Sequence, residues 1–337
     1  LAKKRCAVVG ASGYIGGEIA RLLLSHPNAE LVAVTAHESV GKALEDVHPN
    51  LRGVSLRFSD LDATNGAEAI FLALPNGEAM RIADRFADAP ALIDASADFR
   101  LRDASDYERF YGQPHARPER TREFVYGLPE LFAEDIQTAT RVAAPGCFAT
   151  AAILALHPIV AAGLHERSVV SAVTGSSGAG VKAKPTTHHP FRADGFFAYE
   201  PFTHRHIPEI RQALKRKNGA DVAFVFQPHS GPFVRGIFAS AFVTLTRETT
   251  TAALVELYQA HYARQPFIRL LPHSPNLKWV RGTNFCDLHV CTDGRTAIVS
   301  AAIDNVLKGG AAQAVQCFNL MHGFPADAGL RAFATNP

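Results

Sequence analysis

The sequence predicts an α/β domain on a parallel sheet, followed by an α+β domain with a largely antiparallel sheet. Two patterns carry this. Up to residue 146, apolar strands alternate with helical stretches, as in a parallel sheet covered on both faces. From residue 147 on, the strand-like runs lengthen and follow one another more directly. The length of 337 residues suits two domains of roughly 100–200 residues each.

In chain order, residues 6–9 are a short apolar run that leads into a glycine-rich turn. Residues 14–25 have helical periodicity and stop before Pro27. Strands are expected at 31–35, 69–74 and 91–94, with a helix at 78–87. In the second half, strands are expected at 169–174, 222–227, 237–246, 284–290 and 296–303, and helices at 207–217 and 251–263. A last helix, at 310–322, reads as amphipathic. Residues 175–195 form a long polar loop, and loops of that length are usually functional.

Composition narrows the function classes. A 47% apolar and 20% charged chain is that of an ordinary globular protein. With a net charge of +2 and only Lys3-Lys4-Arg5 as a basic run, no nucleic-acid partner is expected. No window approaches the roughly 18 apolar residues of a membrane span, and the start of the chain shows no signal-peptide pattern. A cytoplasmic location is therefore expected. Five sparsely spaced cysteines argue against a disulfide framework, and Cys286 and Cys291 read as packing residues.

The turn Gly10-Ala11-Ser12-Gly13-Tyr14-Ile15-Gly16 lies between a strand and a helix. Its G-x-x-G-x-x-G spacing is a variant of the dinucleotide fingerprint, in which glycines bring backbone N–H groups and a helix N-terminus to a pyrophosphate. The second strand ends in Thr35-Ala36-His37-Glu38, with Lys42 nearby. That mixture of acid and base leaves the choice between the two nicotinamide cofactors open.

Pro145-Gly146-Cys147 opens an apolar helix running to about residue 162. A cysteine there faces the positive end of the helix dipole, which favours the thiolate and hence a nucleophile. Its acid/base partner is sought in His204-Arg205-His206-Ile207-Pro208-Glu209, where Glu209 has the spacing to orient an imidazole. His188, His189, His204 and His206 are a conceivable zinc set, but no acidic or Cys ligand has characteristic spacing with them, and no metal is expected. The Ser176-Ser177-Gly178-Ala179-Gly180 turn can offer N–H groups and hydroxyls to an anion. Arg100 and Arg235 are candidate clamps for phosphate or carboxylate.

These motifs occur in one order with Ser96-Ala97-Asp98-Phe99-Arg100-Leu101, Tyr126-Gly127-Leu128-Pro129-Glu130 and Asp304-Asn305-Val306-Leu307-Lys308-Gly309. The set resembles the N-acetyl-gamma-glutamyl-phosphate reductase family of arginine biosynthesis, over nearly the whole chain. The resemblance implies a Rossmann domain over residues 1–146 and 307–337, to which the last helix returns. It implies a catalytic and dimerisation domain over 147–306, similar to that of aspartate-semialdehyde dehydrogenase. It implies NADPH, a small acyl-phosphate substrate, and a homodimer or homotetramer.

The catalytic residues it implies are Cys147 as nucleophile and a histidine of the His-Arg-His motif, His206 ahead of His204; Glu209 joins them by its spacing. Gly10, Ser12, Gly13, Tyr14, Ile15, Gly16, Thr35, Ser177, Gly178, Asn305 and Lys308 are expected at the cofactor. Arg100, Ser176, Lys182, Tyr199 and Arg235 are expected at the substrate. The chain departs from the family pattern in Phe148-Ala149-Thr150 after the cysteine and in Val181 where an arginine is usual. Residues 188–199 also resemble a reductase of lysine biosynthesis that acts on a carrier-bound aminoadipyl phosphate. Aspartyl phosphate, N-succinyl-glutamyl phosphate and a catalytically silent nucleotide-binding role remain alternatives.

Overall fold

The structure is a computed structural model that describes residues 2–215 and 219–335. The chain divides into two compact units. The first runs up to Pro145 and resumes over Gly310–Arg331; the second spans Gly146–Gly309 and takes the chain from Ala332 on.

The first unit contains β1 (Lys4–Val9), α1 (Tyr14–Leu24), β2 (Ala29–Thr35), α2 (Leu44–Val47), β3 (Phe58–Ser59) and β4 (Ala69–Leu72). There follow α3 (Ala79–Ile82), β5 (Ala91–Asp94), α4 (Ala104–Tyr111), β6 (Val125–Tyr126), α5 (Pro129–Thr138) and β7 (Arg141–Ala143). All seven strands pair parallel, in the order β3-β2-β1-β4-β5-β7-β6. Cys6–Val9, β4 and β5 are buried throughout, which explains their unbroken apolar runs: a central parallel strand has two covered faces. The strand order reverses between β1 and β4, and the crevice at such a switch point is where open α/β sheets take ligands. The helix expected at 78–87 is a single α-turn, α3, followed by a 3₁₀ turn over Ala83–Phe86.

The second unit contains α6 (Cys147–Ala161), β8 (His165–Thr174), α7 (His189–Arg192), β9 (Phe197–Ala198), α8 (Ile207–Ala213) and β10 (Phe224–Ser230). Then come β11 (Ile237–Leu245), α9 (Thr251–His261), β12 (Ile268–Leu270), β13 (Cys286–Thr292) and β14 (Thr296–Ile303). The order is β12-β13-β14-β11-β8-β10-β9. β8 with β10 and β12 with β13 pair parallel; the remaining neighbours are antiparallel. α6 packs on β11 and β14, and its side chains from Phe148 to Leu156 are all buried. Cys286 is buried and Cys291 half-buried. Residue 217, where the helix from Ile207 was expected to end, lies outside the described residues.

The last helix, α10 (Ala311–Met321), belongs to the first unit and packs on α1, α5 and β5. The helix was read as amphipathic, yet every side chain from Ala311 to Leu320 is buried. Its polar stripe faces internal partners. Gln313 Nε2 donates to the Gly127 carbonyl (3.2 Å), Gln316 Nε2 to Glu130 Oε1 (3.3 Å) and Asn319 Nδ2 to the Ala328 carbonyl (2.9 Å).

Candidate functional site

The glycine turn of the first unit is shaped by contacts that exclude side chains. Gly10 has φ +83°, and a Cβ there would stand 2.5 Å from the Ala73 carbonyl oxygen. A Cβ on Gly16 would stand 2.4 Å from the Gly10 oxygen. The amides of Gly10 and Ala11 donate to the Thr35 carbonyl (2.9 and 3.0 Å), so Thr35 braces the turn through its backbone. The N-cap of α1 is Gly13, and no side chain caps the helix. The amides of Tyr14, Ile15 and Gly16 are thus first-turn donors without partners inside the helix. Such a terminus, stripped of side chains, fits a dinucleotide pyrophosphate. His37 and Glu38 are both exposed in the 3₁₀ turn His37–Ser39.

The Ser96-to-Leu101 motif shapes the C-terminal end of the same sheet. Asp98 is buried and structural: it accepts the amides of Gly77 (2.8 Å) and Met80 (3.0 Å) and the Tyr107 hydroxyl (3.0 Å). Arg100 donates to the carbonyls of Ala144 (2.8 Å) and Ala95 (3.3 Å), just past the ends of β7 and β5.

In the second unit, Cys147 is the first residue of α6 and is half-buried. The turn before it is held by Glu209, a fully buried carboxylate whose Oε1 accepts the Gly146 N–H at 2.7 Å. Glu209 thus secures the turn that carries Cys147, where orientation of an imidazole was expected of it. An added Cβ on Gly146 would lie 2.3 Å from His206 Nε2, so the imidazole rests directly on the turn that carries Cys147. The backbone N–H of His206 donates to His204 Nδ1 (3.2 Å). The His204 ring stands edge-on to Phe148, Tyr199, His206 and Phe226. Burial, then the charge of Arg205, pushes the His204 imidazole down to about 3. Burial, then the nearby Cys147 sulfur, raises the Tyr199 phenol.

The Asp304-to-Gly309 segment closes on the same place. A Cβ on Gly309 would lie 2.6 Å from Cys147 Cβ. Asn305 Oδ1 accepts the Gly236 N–H (2.7 Å), and Asn305 Nδ2 donates to Ser177 Oγ (3.0 Å). Gly178 sits against Thr174 and Asn305. Cys147, His204, His206, Glu209, Tyr199, Ser177, Gly178 and Asn305 are therefore linked through one set of contacts.

Other expectations change. The amides of Ser176, Ser177 and Gly178 are taken by backbone carbonyls and are not offered to an anion. Gly175, Ser176 and Ser177 donate theirs to Gly236, Phe233 and Val234, because the turn is stitched to the β10–β11 loop. Arg235 is no open clamp either: it grips the buried carboxylate of Asp304 at 3.0–3.3 Å. Lys182 is exposed and makes no hydrogen bond or ion pair among the described residues. Lys308 is fully buried, with Nζ 5.8 Å from the Phe267 ring centre. Sequence reasoning missed Gly309, whose signal was its place at the end of a conspicuous motif. Among the described residues no group of three or more His, Cys, Asp or Glu side chains is placed to hold a metal ion. No helix among them is long and apolar enough to cross a membrane.

Comparison with known proteins identifies the family. Residues 5–139 match the family model described as semialdehyde dehydrogenase, NAD binding domain. Residues 147–305 match the model described as semialdehyde dehydrogenase, dimerisation domain. The chain is 43% identical to the N-acetyl-gamma-glutamyl-phosphate reductase of Methanopyrus kandleri, covering 98% of both chains. It is 42% identical to a putative LysW-L-2-aminoadipate/LysW-L-glutamate phosphate reductase of Pyrobaculum calidifontis, covering 99% of both. Its fold is similar to that of aspartate semialdehyde dehydrogenase II of Vibrio cholerae, with a TM-score of 0.75 at 17% identity over 96% of this chain and 99% of that one. On these matches and this architecture, the chain belongs to the semialdehyde dehydrogenase family.

Proposed function

We propose that this chain reduces an acyl phosphate to the aldehyde and inorganic phosphate through a thioester on Cys147. The observation that carries this is the seating of Cys147 at the first turn of α6, with the His206 imidazole resting on its turn. The dipole of α6 favours the thiolate. In the reaction, His206 takes the thiol proton, and Sγ attacks the acyl carbon. The carbon–oxygen bond to phosphate breaks, and His206 returns its proton to the departing oxygen. NADPH, held through the glycine turn, would supply the hydride that converts the thioester to aldehyde. When the carbon–sulfur bond breaks, the Cys147 thiolate is regenerated. The amides of the first turn of α6 are the natural donors for the oxyanion, the interaction that usually contributes most to such catalysis.

For the substrate we infer N-acetyl-gamma-glutamyl phosphate, as in arginine biosynthesis, from the resemblance and the Methanopyrus relative. A second reading, a carrier-linked aminoadipyl or glutamyl phosphate, is favoured by the His188-to-Tyr199 segment and the Pyrobaculum relative. The reverse assay separates them: phosphate and NADP with a panel of semialdehydes. Turnover of N-acetylglutamate semialdehyde well above the others supports the first reading; turnover of only carrier-linked semialdehydes supports the second.

A homodimer is also inferred. Val225, Val169, Phe242 and Ile298 are exposed, and strand register sets them side by side across β10, β8, β11 and β14. A contiguous apolar row on one sheet face marks a surface that a second copy would cover.

A further inference from the structure

Arg192 ends the one-turn helix α7 and retains only 9% of its exposure. Its guanidinium donates hydrogen bonds to Ser230 Oγ and the Gly231 carbonyl, both neutral acceptors. Its Nε is buried without a hydrogen-bond partner. No carboxylate pairs with it among the described residues. This sets it apart from the chain's other embedded arginines. Arg235 grips Asp304, Arg269 grips Asp287, and Arg120 lies between Asp84 and Glu123. Arg141 also lacks a carboxylate, but four carbonyl oxygens saturate it. A guanidinium withdrawn from water toward two neutral acceptors, with one N–H left bare, is costly unless an anion completes it.

Its position says which anion. Ser230 ends β10, and its register partner in β8 is Thr174, where the turn carrying Ser177 begins. Ser177 bonds Asn305, and Gly309 of the same segment touches Cys147. Tyr199, one residue past β9, lies within the electrostatic reach of both Arg192 and Cys147. The bare cation thus sits at the strand ends that lead to the nucleophile.

We propose that Arg192 is a substrate-binding residue that receives an oxyanion of the acyl phosphate through its guanidinium fork. That oxyanion is either the phosphate or a carboxylate elsewhere on the acyl group. The inference rests on the acyl-phosphate reductase reading and adds to it that an anion must enter beside α7.

The test is the reverse reaction of the full chain. Phosphate and semialdehyde are varied separately for wild type, Arg192→Gln and Arg192→Lys. Arg192→Gln is expected to raise one KM at least tenfold, with a smaller change in kcat. Arg192→Lys, which keeps the charge but loses the fork, should fall between. A rise confined to the phosphate KM identifies the phosphate; one confined to the semialdehyde KM identifies the carboxylate. Inorganic phosphate protecting Cys147 from iodoacetamide in wild type, and less so in Arg192→Lys, would support the first source without relying on turnover. If Arg192→Gln loses its fold by circular dichroism, Arg192→Lys decides alone. Unchanged KM values for both substrates in a folded variant of an active enzyme overturn this inference and leave the reaction intact. A wild-type chain inactive on every semialdehyde overturns both.

Discussion

His204 works by having its own nitrogen occupied. Its Nδ1 accepts the His206 N–H, and burial holds the ring neutral, down to about 3. The proposed mechanism therefore gives the acid/base role to His206, while His204 accepts the bond that holds the turn. The folded value lies below the roughly 6.5 of an unfolded histidine, so the unfolded chain binds the extra proton first. Stability should be complete above about pH 6.5 and decline as pH falls toward 3, by at most about 1.4 kcal/mol per unit. Urea midpoints between pH 7 and 5 should drop less steeply for His204→Asn than for wild type; equal slopes would refute this. Gly146→Ala drives a methyl group into the His206 imidazole. It should cut kcat at least about tenfold, in keeping with the loss of a positioned acid/base group, in a variant that still folds by circular dichroism. Activity near wild type would show that the imidazole is not needed where it rests. That Cys147, His206 and Glu209 could lie together was readable from the sequence because each sits in a short motif, and the structure brings them to one turn. Arg235 was misread because its partner, Asp304, lies 69 residues away. Arg192 was illegible because its meaning lies in a missing partner.

At the scale of elements, α6 carries Cys147 at its first position and Pro158 inside. Proline has no N–H for the carbonyl four residues earlier, that of Leu154. The Tyr262 hydroxyl supplies the donor instead, at 2.7 Å, and the Tyr258 hydroxyl donates to the neighbouring Ala155 carbonyl. Tyr262→Phe should cost about 1–3 kcal/mol by stranding a buried carbonyl. Combining it with Pro158→Ala should recover part of that loss, since the alanine N–H can reach Leu154. Urea unfolding of the two single variants and the double variant measures the coupling, and simple additivity would contradict it. The sequence showed the apolar run of α6 but not its dependence on α9. It showed α10 as amphipathic because Gln313, Gln316 and Asn319 recur at helical spacing. Spacing cannot tell a stripe facing water from one facing buried carbonyls.

For the whole molecule, the alternation of strands and helices was enough to foresee a parallel sheet in the first unit and mostly antiparallel pairing in the second. The two-residue strands β3, β6 and β9 were invisible, since runs that short have no periodicity. So was the row Val225, Val169, Phe242 and Ile298, which only strand register assembles. Phe242→Asp places a charge in the middle of that row. Light scattering should show the wild type as a dimer or larger and this variant as a monomer with unchanged circular dichroism; an unchanged mass would remove the sheet face from the interface. The most direct test of the whole account is the intact mass of the protein mixed with N-acetyl-gamma-glutamyl phosphate, or its carrier-linked counterpart, without NADPH. The account predicts an adduct of the acyl group's mass on Cys147 that disappears when NADPH is added. An enzyme that turns over its acyl phosphate yet never carries the adduct, and whose Cys147→Ala variant keeps near-normal turnover, would contradict it.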